Sequence, residues 1–258
     1  MRHPPLTALA AVASLLLAAA AASPAAARPH AAPHASATIS SWDSPAFTHA
    51  LETLGEGDAD QPIAQPSLDG LADPGPAEPT SSRTVATLAV KIVDSGDNHG
   101  LPFIIVDKPS ARVLVFDAKG ELVGEAPALL GMARGDDAAP GIGDLEVSKI
   151  PVDERTTEAG RFLAKLGPAK GMDSVLWVDF DTSLSLHPVV TGNPKERRLQ
   201  RLRSPSPDER RITHGCINVP ADFYKTVVQT TFEGTAGVVY ILPDTKPVET
   251  VFAQLAGG

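Results

Sequence analysis

The pattern of hydrophobic and polar positions divides the chain at about residue 86. Beyond that point, short runs of β-branched and aromatic residues alternate with turn-forming segments, beginning with LPFIIVD (101–107) and ARVLVFD (111–117). The second run leads into AKGELVG, which is typical of a hairpin that turns at Lys119-Gly120. Further strands are predicted in GRFLAKLG (160–167), SVLWVDF (174–180), TSLSLH (182–187) and GVVYILP (237–243).

One segment, PADFYKTVVQTTF (220–232), has the hydrophobic spacing of a helix. It begins with Pro220 and carries Asp222 in its first turn, and both residue types are favoured at helix starts. Its apolar face is predicted to contain Phe223, Val227, Val228 and Thr231. Many short strands combined with one or two helices predict a mainly β domain (α+β), built as a sandwich or barrel.

The residues before the folded domain have the composition of an export signal followed by a linker. Arg2, the apolar run 6–22 and the small residues up to Ala27 predict a signal peptide over 1–27. Residues 28–85 are rich in Pro, Ala, Gly and Asp and are predicted to be mostly disordered, because they cannot bury enough apolar surface. The predicted folded domain is 86–258. The length of the apolar run leaves an uncleaved membrane anchor open as an alternative.

Charge and loop composition restrict the classes of partner. The net charge of −9, without a basic stripe interleaved with aromatic residues, argues against a general nucleic-acid-binding protein. The glycine-rich stretch GMARGDDAAPGIGD (131–144) matches no phosphate-binding pattern, so no cofactor is expected. We expect a monomer that is exported to the periplasm or cell envelope, with no stable membrane insertion once the signal is removed.

Cys216 is the only cysteine in 258 residues. In an exported chain an unpaired cysteine indicates a reactive thiol, whereas the alternative is a buried structural residue. A cysteine attacks as the thiolate, and because its free pKa is about 8.5 it needs a base or a cation nearby. Of the seven histidines, only His187 and His214 lie well inside the predicted domain.

The residues around the thiol fit a nucleophile. If 213–216 is extended, His214 and Cys216 project to the same side, because side chains in a strand alternate. Gly215 between them would let the backbone approach a substrate closely. The backbone amides near Cys216 could then form an oxyanion hole.

The stretch THGCIN (213–218) resembles the signature of the L,D-transpeptidases, the YkuD-type catalytic domain. That signature is an upstream His, a spacer, Ser or Thr, then His, Gly, Cys, an apolar residue and Asn. The matching residues here are His187, Thr213, His214, Gly215, Cys216, Ile217 and Asn218. TTEAGRF (156–162) is similar to the family's Thr-Pro-x-Gly-x-Phe strand start, with Glu158 in place of Pro. The resemblance covers about 101–242 and implies the family's β-rich fold.

The resemblance also implies a reaction, acyl transfer on peptidoglycan stem peptides. Cys216 would attack the carbonyl that precedes the terminal D-Ala of a tetrapeptide stem, and the resulting thioester would pass to an amine, giving a 3→3 cross-link. His187 would be the base and His214 would orient the site, with Thr213 and the amides of Gly215 and Cys216 around the oxyanion. No metal or organic cofactor is implied. From the residues alone, either histidine could be the base.

The spacer between His187 and Thr213 departs from the family pattern. It holds 25 residues, longer than the family usually has, and Pro188 follows the histidine. Its segment NPKERRLQRLRSPSPDERR (193–211), which we call the basic insert, carries seven basic and three acidic residues. It is either a solvated, salt-bridged lid or a source of arginines that bind a substrate carboxylate. The substrate-binding candidates are Arg201, Arg211 and Asn218, the last of which also buttresses the loop.

Other functions stay open at this point. Water could replace the acceptor amine, which would make the protein an L,D-carboxypeptidase, or the acceptor could be a protein lysine or a free D-amino acid. His187, His214 and Cys216 could instead bind zinc, since three ligands and an open position make an acceptable catalytic site. A third class is a wall-binding module that has no catalytic activity.

Overall fold

The strands predicted from the short apolar runs pair into one eight-stranded sheet. We describe them in a computed structural model of residues 80–255; the predicted signal peptide and residues 28–79 of the predicted linker lie outside the described residues. The strands are β1 Phe103–Asp107, β2 Arg112–Phe116, β3 Leu122–Pro127, β4 Leu130–Gly131, β5 Gly160–Ala169, β6 Met172–Asp179, β7 Leu184–Pro188, β8 Arg211–Thr213, β9 Ile217–Val219 and β10 Ala236–Ile241. The α-helices are α1 Thr80–Ser95, α2 Arg198–Leu202, α3 Ala221–Phe223, α4 Gln229–Phe232 and α5 Val248–Val251.

The order of strands in the large sheet is β3-β2-β1-β10-β5-β6-β7-β9, and β4 and β8 form a separate pair. The two edge strands of the large sheet, β3 and β9, nearly meet. Leu129, just after β3, exchanges backbone hydrogen bonds of 2.8 and 2.9 Å with Asn218 in β9. The sheet is therefore barrel-like and almost closed. The predicted mainly β fold is confirmed.

The central strand β1 is buried along its whole length, and its alternating side chains supply two cores. Ile104 and Val106 belong to the core that the helical segment 221–232 covers. Phe103 and Ile105 belong to the second core, which α1 covers. A strand that is buried on both faces has a continuous apolar sequence, which is why the hydrophobic pattern predicted β1.

Helix α1 was not predicted from the sequence, and the predicted domain start at residue 86 falls inside it. Its buried residues are Val85, Leu88, Ala89 and Ile92, the i, i+3, i+4, i+7 spacing of a helix that packs by one face. Short helices gain most of their stability from such packing rather than from intrinsic propensity. The surface on which α1 packs exists only in the folded protein.

The predicted helix over 220–232 forms, with a π-helical turn at Tyr224–Val228 between α3 and α4. Pro220 precedes its first residue as the N-cap. The fully buried side chains are Tyr224, Val228 and Phe232, whereas the predicted Phe223 and Val227 pack at the rim of the core. The π turn closes its hydrogen bonds over five residues instead of four. The residues that follow it are therefore rotated about the helix axis, and the apolar face differs from the one predicted for a regular α-helix.

A buried ion cluster fastens the long loop 132–159 to the strands. The Lys108 ammonium is fully buried and donates to Asp136 Oδ1 (2.9 Å), Gly135 O (2.6 Å) and Thr157 O (2.8 Å). Burial lowers the pKa of Lys108, although the neighbouring carboxylates of Asp136 and Asp244 oppose that shift. Since the carboxyl end of this loop lies beside the cysteine, the cluster also fixes one wall of the candidate site.

No helix within residues 80–255 is both long enough and apolar enough to cross a membrane.

Candidate active site

Cys216 lies in the turn that joins β8 to β9 and is half-buried. Its sulfur is 3.6 Å from Ser185 Oγ and 3.6 Å from Ser183 O. Together with His214 and Gly215 it lines a cavity of about 120 Å³. The thiol therefore faces a space in which part of a small peptide could sit.

The backbone at Gly215 departs from the extended conformation considered above. Strand β8 ends at Thr213, and Gly215 has φ +139°, a region that favours glycine. A Cβ at this position would lie 3.0 Å from Thr156 O. The glycine thus permits a close approach of two backbone segments, and His214 and Cys216 reach the same cavity through a turn rather than through strand alternation.

The Thr213 hydroxyl closes this turn. It donates to Cys216 O (2.7 Å) and accepts from the Gly215 N–H (3.2 Å). The Gly215 amide is therefore already hydrogen-bonded, whereas within residues 80–255 the Cys216 N–H donates to no other group. Of the two amides considered for an oxyanion hole, that of Cys216 is the open one.

A second threonine anchors the turn from the neighbouring segment. The Thr157 hydroxyl donates to Gly215 O (2.7 Å) and accepts from the Gly131 N–H (2.9 Å). Thr157 O in turn accepts from Lys108. The buried ion cluster is thereby connected to the cysteine turn through one residue.

His187 lies on β7, and the parallel pairing of β7 with β9 places it opposite Asn218. Its ring is buried, with Nδ1 2.8 Å from Pro188 O and Nε2 3.0 Å from Asn218 Nδ2. The imidazole is thus held at both nitrogens. Pro188, which departs from the family pattern, contributes only its carbonyl oxygen.

Arg198, in the basic insert, fixes which way the Asn218 amide points. Its Nη1 donates to Asn218 Oδ1 at 2.8 Å, so the amide nitrogen faces His187. Nε2 of His187 is then an acceptor, and its Nδ1–H donates to Pro188 O. Sequence reasoning missed Arg198, because nothing in the pattern separates it from the other arginines of the insert.

The two histidines act differently on the site. Burial raises the pKa of the Cys216 thiol, but the neighbouring His187 and Ser185 outweigh burial, and the net pKa is lowered. The pKa of His214 is lowered, first by burial and then by the charges of Arg155 and Arg198. His187 is thus the histidine that favours the thiolate, whereas burial favours the neutral form of His214.

The two arginines predicted to bind substrate are engaged elsewhere. Arg201 donates to Glu196 O (2.9 Å) and Glu209 O (2.7 Å), which ties together the ends of the basic insert. Arg211 is buried and forms a bidentate pair with Asp244 (2.9 and 2.5 Å). Neither side chain lines the cavity, and a role in substrate binding stays a prediction for both.

The zinc alternative requires three side chains to converge. Within residues 80–255, no group of three His, Cys, Asp or Glu side chains is placed to hold a metal ion. His187 and His214 have separate environments, since one is bonded to Asn218 and the other faces the cavity.

Similarity to known proteins is found among solved structures, of which 15 chains match. No family model matches the sequence, and no curated protein matches it. Among solved structures, the chain is similar to that of the LD transpeptidase LdtMt1 in complex with imipenem, at 13% identity and a TM-score of 0.32. The match covers 55% of this chain and 58% of that chain. The chain thus corresponds to little more than half of that protein, and the comparison alone supports no assignment of function.

Proposed function

We propose that this protein is an exported cysteine acyltransferase of the L,D-transpeptidase type, which acts on peptidoglycan stem peptides. The observation that carries the proposal is the half-buried thiol of Cys216, which faces a cavity and has its pKa lowered by His187. The THGCIN signature supports the same chemistry. A lowered pKa raises the fraction of thiolate, the reactive form.

In the first half-reaction, the Cys216 sulfur attacks the carbonyl carbon of the residue that precedes the terminal D-Ala. The Cys216 N–H is open to bind the developing oxyanion. His187 takes the thiol proton and gives it to the departing amine, for which Asn218 must move off Nε2. The C–N bond breaks, D-Ala leaves, and a thioester remains.

In the second half-reaction, an amine of another stem attacks the thioester. The new C–N bond forms as the C–S bond breaks, and the thiolate recovers its proton through His187. Thioesters react readily with amines, so no further activation of the acyl group is needed. The product is a 3→3 cross-link.

The test is a product analysis with a purified disaccharide-tetrapeptide, using the chain from Arg28 onward and Cys216→Ala as the control. Release of D-Ala with formation of a cross-linked dimer is the expected result, read by mass spectrometry. Tripeptide without dimer would instead identify an L,D-carboxypeptidase. Neither product, together with a thiol that resists iodoacetamide, would overturn the proposal.

A further inference from the structure

One carboxylate lies in the wall of the cavity that holds the nucleophile. Glu158 lines this cavity together with Cys216 and His214, and no lysine, arginine or other acid is among its lining residues. The other residues of the wall are apolar, small or hydroxyl-bearing, among them Ile142, Leu145 and Ile150. A single acid in a mostly apolar wall is a common way for a site to recognise a cationic group.

Glu158 differs from the structural carboxylates of this domain in having no partner. Asp136 and Asp244 are saturated with hydrogen bonds and ion pairs to buried groups. Within residues 83–255, the Glu158 carboxylate forms no hydrogen bond or ion pair. Unpaired, half-buried carboxylates destabilise a fold, so this one calls for an external partner.

The charges that face Glu158 make an anion unfavourable there. Burial raises the pKa of Glu158 to about 7, and the carboxylates of Asp179 and Asp137 add to the shift. Lys108 and Lys246 act in the opposite direction but more weakly. Lys108 is bonded to Asp136, and Lys246 is paired with Asp137, so neither lysine reaches Glu158.

We propose that Glu158 forms the subsite for the acceptor amine, binding it as the primary ammonium ion and then taking its proton. This inference rests on the proposed function, because it assigns the second substrate of that reaction. The ammonium ion transfers one proton to the carboxylate, which becomes the carboxylic acid. The neutral amine then attacks the thioester at Cys216, and its second proton returns to the thiolate through His187.

The position of Glu158 suits the binding of an ammonium ion, and its raised pKa suits the removal of a proton from that ion. An ammonium ion cannot attack a carbonyl, and a general base works best when its pKa lies near the operating pH. An ordinary glutamate is too acidic to take a proton from an amine, whereas a carboxyl group with a pKa of about 7 is a better acceptor. The same side chain thus makes aminolysis of the thioester faster than its hydrolysis.

The experiment measures how the acyl-enzyme divides between an amine and water. The full disaccharide-tetrapeptide is the acyl donor and n-butylamine is the acceptor probe, with n-butanol as a neutral comparison. In the wild-type protein, the ratio of butylamide to tripeptide should rise as the pH passes through about 7. In Glu158→Gln this ratio should fall by at least about tenfold near pH 7, and only the rise that comes from the growing fraction of neutral butylamine should remain. Because the ratio describes how the acyl-enzyme divides, it is read from the products whatever the rate of D-Ala release.

Two controls separate the possible failures. Asp153→Asn removes an exposed acid of the same loop that does not line the cavity, and should leave the ratio at the wild-type value. Glu158→Asp should restore part of it. If Glu158→Gln releases D-Ala and the ratio of butylamide to tripeptide is unchanged, the subsite is refuted. If the wild-type protein releases no D-Ala, the proposed function itself has failed.

Discussion

The Arg198 guanidinium donates a 2.8 Å hydrogen bond to Asn218 Oδ1, and Asn218 contacts His187 with its amide nitrogen. The basic insert therefore reaches His187 of the candidate site through one residue. With the amide held in this orientation, a protonated Nε2 would meet an N–H group instead of an acceptor. Arg198 thus opposes formation of a thiolate–imidazolium pair between Cys216 and His187.

Arg198→Ala should consequently lower the apparent pKa of the Cys216 thiol and speed its alkylation below pH 7, because the amide can then turn and accept from an imidazolium. The rate of alkylation by iodoacetamide between pH 5 and 9 measures this value. Arg203→Ala is the matched control, since Arg203 is exposed in the same insert. An alkylation profile that is the same in Arg198→Ala and wild type would show that the amide does not control the pair.

His187 and His214 should respond differently to substitution. His187→Gln removes the group that lowers the pKa of the Cys216 thiol, so alkylation at pH 7 should slow and turnover should fall by about 10²- to 10⁴-fold. His214→Gln should keep most of the alkylation rate, because His214 does not contribute to that pKa shift. Equal losses in the two variants would contradict the assignment of His187 as the base.

The buried ion cluster should be essential for stability. Lys108→Met leaves the carboxylates of Asp136 and Asp244 without their buried ammonium partner, and the free energy of unfolding should fall by about 3–5 kcal/mol. Lys149→Met is the control, because the Lys149–Glu146 pair is exposed and should change stability by less than about 1 kcal/mol. Denaturant midpoints measured at one pH compare the two. Equal midpoints would contradict the role of the cluster.

Stability should depend on pH through Glu158. Because its folded-state pKa is raised to about 7, the folded protein holds a proton that the unfolded chain has lost, and stability falls as the pH rises from about 4.5 to 7. Glu158→Gln should therefore stabilise the protein at pH 8 by up to about 3 kcal/mol, and much less at pH 5. Unfolding curves at the two pH values measure the difference. A variant that is destabilised more at pH 8 than at pH 5 would contradict it.

Gly215→Ala should damage both the fold and the site. The new Cβ would lie 3.0 Å from Thr156 O, at a φ of +139° that costs a non-glycine residue about 1–3 kcal/mol. Since the turn carries Cys216, D-Ala release should fall as well. Gly192→Ala is the control, because no atom lies within 4 Å of its added Cβ. A Gly215→Ala variant as stable and active as Gly192→Ala would show that the turn tolerates a side chain.

The strands and the helix were predictable because their signals are local. The run LPFIIVD is apolar throughout, and it forms a strand buried on both faces. Helix α1 escaped prediction because its helical form depends on the core surface supplied by Phe103 and Tyr240, which is remote in sequence. The orientation of the apolar face on the helix after β9 was likewise altered by a π turn that no residue pattern signals.

The sequence by itself determined the mainly β fold and singled out Cys216 with the residues next to it in the chain, since both follow from neighbours within a few positions. Only the tertiary structure decided which groups surround that thiol. Arg198 reaches Asn218 across 20 residues of chain, and Glu158 shares a cavity with Cys216 although 58 positions separate them. Such contacts depend on strand register and loop packing, and a linear sequence does not state the distance between residues far apart along it.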